Sequence, residues 1–304
     1  MLSHTQRKGL FTPPLTVFLT TWSFDPVAAG IIIASGSAYL VWMVQLRRHG
    51  HSWPLKFTLA FFVLGLGSYA VISFGFLGTY SRELRWAFTT RLALLLFIVP
   101  ALVALGKPIA LARMALHPTR RARMERFVRS RPLRILGNAM VGPIFTCIVF
   151  LLFLTPLAAT LRESYPSQLA TSFLAPVAGM LFVVPIAAGM VVHSAFFITI
   201  EFLLAFVEVL LDSIPGIALR INDSVLDHAT RLVANAPAWF PSPLRDQYLS
   251  GDLLWFIAEM ADIPILILLF LRWMRLDRRE STRLDDLSDE QMDELTRAHL
   301  QQRV

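Results

Sequence analysis

The sequence predicts an all-α polytopic membrane protein with seven transmembrane helices, and three observations lead to this fold class. The chain has 304 residues, of which 55% are hydrophobic and only 16% are charged. Several apolar windows approach twenty residues, the length of helix that crosses about 30 Å of hydrocarbon. The basic residues cluster beside these windows, so the net charge of +7 indicates membrane topology and argues against a nucleic-acid partner.

Seven apolar segments form the predicted spans. They comprise residues 27–46, 57–77, 87–105, 137–161, 169–188, 190–211 and 252–271. Only a short segment after Pro185 separates the fifth span from the sixth, so a single broken helix is the alternative there. A continuous helix from Leu169 to Leu211 would measure about 65 Å, which is twice the thickness of the hydrocarbon core, and two spans are therefore predicted.

Lys and Arg residues predict the orientation. Most of them gather on one side, after the first span, between Lys107 and Arg134, and beyond Leu271. Loops rich in Lys and Arg face the cytoplasm, so the N-terminus is predicted outside and the C-terminus inside. The predicted organisation is an extracytoplasmic segment (1–26), a transmembrane domain (27–272) with an outer amphipathic helix at about 217–233, and a charged cytoplasmic tail (273–304).

Ionisable residues lie inside three predicted spans, where a carboxylate needs a counter-charge, a proton or a cation. This polar intramembrane set consists of Arg91 in the third span, His193, Glu201 and Glu208 in the sixth, and Asp252, Glu259 and Asp262 in the seventh. The polar residues of the sixth span share one sector of a helix with Met190. A rise of 1.5 Å per residue places Arg91 near the depth of Glu208 and Glu259, so these side chains meet if their helices are neighbours.

Two hypotheses explain this polar set. In the first, Arg91 neutralises one carboxylate and the other acids are protonated or hydrogen-bonded. In the second, the acids form an outward-facing site for a cation or a proton, because they outnumber the arginine. His193, Met190 and Glu201 are the candidate metal ligands, since imidazole and thioether suit copper, although an oxygen-rich set does not select it.

Short motifs follow one another in order along the chain. They are Trp22-Ser-Phe-Asp25-Pro26, LRRHGHSWP (46–54), Tyr80, Pro100, the LGKP turn with Gly106 and Pro108, RSRPLR (129–134), LTP (154–156), and a last stretch with Asp246, Gln247, Gly251, Trp255, Glu259 and Arg272-Trp273. This order resembles the CtaG-type cytochrome c oxidase assembly factors. The resemblance covers most of the chain and implies a multi-pass protein of the bacterial plasma membrane.

The resemblance also implies histidines that this chain lacks. Proteins of this type carry two histidines four residues apart early in the third span, and those positions fall at Phe88 and Leu92 here. A further histidine group falls near Gln168–Leu174, where the chain reads QLATSFL. Copper therefore stays a candidate only at the sixth and seventh spans, and no cofactor is assigned.

The resemblance implies a non-enzymatic function, in which the chain assists or associates with the haem-copper oxidase of the respiratory chain. Its predicted partners are the lipid bilayer and oxidase subunits or other assembly factors. The HExxH motif, the Gly-rich phosphate loop and the nucleophile elbow are missing from the sequence. Two alternatives remain: a transporter or channel for a cation such as copper, and a structural subunit whose acids are all ion-paired.

Overall fold

The described part of the chain contains only helices as regular elements, which confirms the all-α fold class for those residues. The computed structural model describes residues 13–131, 148–149, 151–152, 154–155, 157–187, 195–226 and 237–285. We number the helices in chain order: α1 (Leu15–Thr20), α2 (Pro26–Arg48), α3 (Leu55–Tyr80), α4 (Arg85–Leu105), α5 (Pro108–Ala115), α6 (Pro118–Val128), α7 (Leu157–Glu163), α8 (Tyr165–Ala187), α9 (Ala195–Ile221) and α10 (Pro243–Asp285).

Three described helices, α2, α3 and α4, are long and apolar enough to cross a membrane. They coincide with the first three predicted spans, 27–46, 57–77 and 87–105. Helix α2 begins at Pro26, whose fixed φ suits the first helical position, directly after the capping residue Asp25. It ends at Arg47 and Arg48, which lie beside the negative end of the helix dipole. The seven-span count and the orientation stay predictions.

Helix α4 lies at the centre of the described bundle. All residues from Arg85 to Arg91 are buried, and the helix packs against α3, α8 and α10. Its middle contains a π-helical segment, Leu94–Ile98, just before Pro100. Helix α8 approaches this segment closely through Gly179, where an added Cβ would lie 2.5 Å from Cγ of Pro100. The missing side chain therefore lets α8 pack directly on α4.

The fourth, fifth and sixth predicted spans are described in part. Most of span 137–161 lies outside the described residues, and α7 covers only its last residues. Helices α8 and α9 overlap the fifth and sixth predicted spans, and residues 188–194 between them lie outside the described residues. The choice between two spans and one broken helix therefore stays a prediction.

The prediction of a separate amphipathic helix at about 217–233 is wrong for the first residues of that segment. Helix α9 continues through Pro215 to Ile221, and the chain leaves it at Asn222; residues 227–236 lie outside the described residues. In the sequence, Pro215-Gly216 favours a helix end. In the fold, Gly216 packs so tightly against α10 that an added Cβ would lie 2.8 Å from Cβ of Trp255. This packing keeps the residues around Pro215 helical.

Helix α10 is longer than the predicted seventh span. It has 43 residues, which corresponds to about 65 Å, and it extends beyond residues 252–271 at both ends. Hydropathy predicts only the part of a helix that lies in lipid, because charged residues continue a helix readily in water. Near its start, α10 contacts the beginning of α4 through Asp246, Gln247 and Ser250.

Candidate functional site

Arg91 of α4 is the centre of a buried polar network. Its Nη2 lies 3.1 Å from Oδ2 of Asp25, and its side chain is 3% exposed. The guanidinium also donates to Oε1 of Gln168 at 2.8 Å and to Oγ of Ser172 at 2.6 Å. A buried arginine needs both a counter-charge and hydrogen-bond acceptors, and these three side chains supply them.

Asp25 uses its two carboxylate oxygens for different purposes. Oδ1 accepts hydrogen bonds from the backbone N–H groups of Val27 at 2.9 Å and Ala28 at 3.0 Å, which caps α2. Oδ2 accepts from Arg91 and from the hydroxyl of Ser172. The same carboxylate thus stabilises the positive end of the α2 dipole and neutralises the arginine of α4.

Helix α8 supplies the amide and the hydroxyl of this network one helical turn apart. Oε1 of Gln168 also accepts from Oγ of Ser81 at 2.7 Å, and its Nε2 donates to the carbonyl of Arg162 at 2.9 Å. The hydroxyl of Tyr69 donates to the carbonyl of Ser172 at 2.7 Å. The network therefore joins α2, α3, α4 and α8 through groups that are all buried.

Asp246 forms a second buried site, at the start of α4. Its Oδ2 accepts from the backbone N–H of Arg85 at 2.8 Å, and its Oδ1 accepts from that of Trp86 at 2.9 Å. Leu84, which precedes the helix, has no capping side chain, so Asp246 caps α4 from α10. Burial raises the pKa of Asp246, which precedes the predicted span 252–271, and the two backbone donors oppose this shift.

Gln247 connects the end of α9 to α4. Its Oε1 accepts from Nη1 of Arg85 at 3.1 Å and from the backbone N–H of Leu226 at 2.8 Å. Its Nε2 donates to the carbonyls of Ser224 at 3.0 Å and Asn222 at 3.3 Å. The side chain is fully buried. Asp246 and Gln247 therefore satisfy backbone groups at the ends of two neighbouring helices.

The structure does not bring Arg91 to the acids of the predicted seventh span. Asp252 pairs with Nε of Arg220 at 3.2 Å, and both side chains are nearly half exposed. Oε1 of Glu259 accepts from Nε1 of Trp255 at 2.9 Å on an exposed face of α10. Equal depth in the membrane does not bring these groups together, because α10 turns a different face towards α4.

The remaining predicted site residues are described less fully. Glu201 and Glu208 lie in α9 and Asp262 lies in α10, but their side chains are outside the described part. Met190 and His193 lie outside the described residues altogether. The described residues contain no group of three or more His, Cys, Asp or Glu side chains that could share a metal ion. The metal set of His193, Met190 and Glu201 stays a prediction.

Comparison with known proteins decides the family. The family model for the cytochrome c oxidase caa3 assembly factor matches residues 37–276. The chain belongs to the caa3 assembly factor family. The family and the helices of membrane-spanning length indicate a membrane protein.

The similar curated proteins are uncharacterised and longer. Mb0105 of Mycobacterium bovis and MT0111 of Mycobacterium tuberculosis are each 27% identical over 292 residues, which cover 91% of this chain and 43% of the relative. ML1998 of Mycobacterium leprae is 26% identical over 290 residues with the same coverage. The chain thus spans less than half the length of these relatives. No solved structure matches it.

In this caa3 assembly factor family member, the LGKP motif forms a turn that contacts α2 and α3. The hydroxyl of Tyr39 donates to the carbonyl of Gly106 at 2.9 Å and accepts from Nε1 of Trp53 at 2.8 Å. An added Cβ on Gly106 would lie 2.9 Å from Cα of Phe61, so only glycine fits this close approach. Pro108 then begins α5.

The other motif residues have varied surroundings. Trp22 is 57% exposed, and its Nε1 donates to the carbonyl of Leu19 at 2.8 Å. Gly251 lies at the crossing of α9 and α10, where an added Cβ would lie 3.0 Å from Cβ of Leu219. The residues of the short motifs therefore serve as helix caps, lie at tight helix crossings or expose aromatic side chains.

The resemblance implies histidines in two regions of the chain, and the residues found in these regions do not suit copper. Phe88 is buried in an apolar cluster with Leu219 and Leu254, and Leu92 packs against the same cluster. None of these side chains carries an atom that ligates a metal. In the second region, near Gln168–Leu174, Gln168 and Ser172 already bind the guanidinium of Arg91. These sites therefore hold an apolar core and an ion-pair network.

Sequence reasoning missed the role of Asp25 as the partner of Arg91. A signal for it exists, because an aspartate before proline and an apolar run is typical of a helix N-cap. This signal places a carboxylate at the outer end of the first span. Gln168 and Ser172 gave a weaker signal, since two polar residues one turn apart in a predicted span share a helix face.

Proposed function

We propose that this chain is a non-enzymatic, multi-pass assembly factor of the bacterial plasma membrane, and that it associates with a haem-copper cytochrome c oxidase. Membership of the caa3 assembly factor family supports the oxidase as its partner. The observation that supports a non-enzymatic role best is the buried pair of Arg91 and Asp25. Both side chains are bound to protein groups, so they stabilise helix packing and are not free for chemistry.

The polar sites support a scaffold role for this bundle. The Arg91 network joins four helices, and Asp246 and Gln247 join α4, α9 and α10. A buried charge that loses its partner is strongly destabilising, so each site favours one arrangement of the helices. A bundle held in this way presents constant outer surfaces, which suits a protein that binds other membrane subunits during assembly.

Deletion of the chain tests this proposal. Membranes from the deletion strain should contain less active oxidase with less copper per haem, and the wild-type gene should restore both quantities. An Arg91→Ala variant should restore them poorly, while Glu125→Gln, which changes an acid of α6 outside the network, should restore them fully. Normal oxidase activity and copper content in the deletion strain would contradict the proposal.

A second candidate, a structural subunit of the oxidase, is favoured by the pairs Asp25–Arg91 and Asp252–Arg220. The tagged chain distinguishes the two roles. An assembly factor co-purifies with incomplete oxidase and is depleted from the mature active complex. A structural subunit remains in the mature complex in an amount equal to that of the other subunits.

The polar face of α9 and α10 stays part of the proposal as a candidate site for a metal or a proton. This hypothesis and the copper-transporter alternative depend on His193, Glu201 and Glu208, whose side chains are outside the described part. Copper content of purified protein should fall in a His193→Ala/Glu259→Gln variant if this face binds the metal. Equal contents near zero in both proteins would exclude copper handling.

A further inference from the structure

Helix α10 exposes an apolar stripe with one carboxylate in it. The exposed fractions are 44% for Trp255, 60% for Phe256, 50% for Met260 and 47% for Ile263. Glu259 lies within this stripe and is half-buried beside Trp255. We call these five residues the Glu259 stripe.

The opposite face of α10 packs inside the protein. Leu254, Ile257 and Ala258 are buried in the apolar cluster that contains Phe88 of α4. Phe256, Met260 and Ile263 therefore point away from the described bundle, while Trp255 borders the crossing of α10 with α9 at Gly216. Because α10 coincides there with the predicted span 252–271, the stripe faces the hydrocarbon region.

Glu259 lacks a counter-charge in the described part of the protein. Its hydrogen bond there is the one from Nε1 of Trp255 at 2.9 Å, which leaves Oε2 without a donor among the described residues. Seven residues separate it from Asp252 at the outer end of the predicted span, a depth of about 10 Å. Ionisable residues at such a depth normally face the bundle interior and pair with a partner.

Two other described acids of the bundle have cations beside them. Asp25 pairs with Arg91 at 3.1 Å, and Asp252 pairs with Arg220 at 3.2 Å. Glu259 differs from both because it receives a single neutral donor. The chemistry that completes this site is a positive charge that enters from outside the described bundle.

We infer that the Glu259 stripe is the docking surface for a transmembrane helix of another protein, which presents a Lys, Arg or His side chain to Glu259. A second copy of this chain would place two carboxylates against each other, which is unfavourable. A lipid amine stays at the headgroup level, about 10 Å above Glu259. A basic side chain on a partner helix reaches this depth and gains a charge-assisted hydrogen bond.

This inference goes beyond the proposed function, since it identifies a contact face and the chemistry of its partner whether or not that partner is an oxidase subunit. A photo-crosslinking benzoylphenylalanine in place of Phe256 tests it in native membranes. The same amino acid in place of Phe173 of α8, which is 48% exposed, is the matched control. Mass spectrometry then identifies the crosslinked peptide.

The expected product at position 256 is a transmembrane peptide of another protein with a basic residue within one helical turn of the crosslink. Glu259→Lys should reduce its yield at least tenfold, and Glu259→Gln should reduce it less. Asp252→Asn should leave the yield unchanged. Replacement of the partner's basic residue by Glu should restore the yield in the Glu259→Lys background.

Four results would overturn the inference. The first is capture of lipid alone at both positions, and the second is capture of another copy of this chain. The third is a partner peptide without a basic residue at the crosslink. The fourth is a crosslinking yield that does not change in Glu259→Lys or Glu259→Gln. If Glu259→Lys fails to accumulate in the membrane, the yield in Glu259→Gln decides the result.

Discussion

The guanidinium of Arg91 lies 3.1 Å from the carboxylate of Asp25, and this contact joins the second turn of α4 to the capping residue of α2. Asp25 also caps α2 through its second oxygen. A single carboxylate therefore satisfies a buried cation and the start of a transmembrane helix. The strength of this coupling can be measured.

Loss of either charge should destabilise the protein strongly. Arg91→Met and Asp25→Asn should each lower the free energy of unfolding by about 3 kcal/mol, because each leaves a buried charge without its partner. The double variant should lose less than the sum of the two changes. Thermal unfolding of all four proteins in one detergent gives the coupling energy. Additive losses would contradict a direct ion pair.

Asp246 should stabilise the start of α4 by capping it from α10. Asp246→Ala removes both acceptors of the Arg85 and Trp86 N–H groups, and it should lower the stability by about 1–2 kcal/mol. Asp246→Asn keeps one acceptor and should lose less. The neighbouring exposed residue provides the control, since Arg245→Ala should leave the unfolding temperature unchanged. Equal effects of Asp246→Ala and Arg245→Ala would contradict capping in trans.

The crossing of α9 and α10 should depend on the absence of a side chain at Gly216. An alanine there would place its Cβ 2.8 Å from Cβ of Trp255 and 2.9 Å from the carbonyl oxygen of Gly251. We expect Gly216→Ala to destabilise the protein by about 1–3 kcal/mol through overpacking.

A glycine in an open position is the matched control for that change. An added Cβ at Gly30 of α2 meets no atom within 4 Å. Gly30→Ala should therefore be neutral or slightly stabilising, because alanine is the better helix former. Unfolding temperatures of the two variants that agree within error would show that the crossing tolerates a methyl group.

Removal of the Tyr39 hydroxyl should weaken the LGKP turn. Tyr39→Phe leaves the carbonyl of Gly106 and Nε1 of Trp53 without their partner, and we expect a loss of about 1–2 kcal/mol. Tyr165→Phe is the control, because Tyr165 is 53% exposed and should not change the stability. Thermal unfolding in detergent measures both, and an unchanged midpoint for Tyr39→Phe would contradict the role of the hydroxyl.

The positions of α2, α3 and α4 follow from hydropathy and charge in the sequence. Crossing a membrane is a local property, since a helix satisfies its own backbone hydrogen bonds and needs only an apolar surface. The Asp25-Pro26 pair and the arginines at 47 and 48 mark the two ends of α2. Short motifs in order were also sufficient to predict the family, which the match over residues 37–276 confirms.

The end of α9 did not follow from local pattern. Pro215 and Gly216 have the composition of a helix end, yet the helix continues to Ile221. The residue that decides this outcome is Gly251 of another helix, whose contact with Gly216 allows the two backbones to approach. Contacts across such a sequence distance are invisible to local propensity.

The partners of the charged side chains depended on packing in the same way. The depth of a residue in the membrane follows from its position along a span, and this count predicted Arg91 at the depth of Glu259. Rotation of a helix about its axis is set by the side chains that it buries, and α10 buries Leu254, Ile257 and Ala258 against the bundle. Arg91 consequently meets Asp25, while Glu259 faces outward, because neighbours and rotation arise only when the helices pack together.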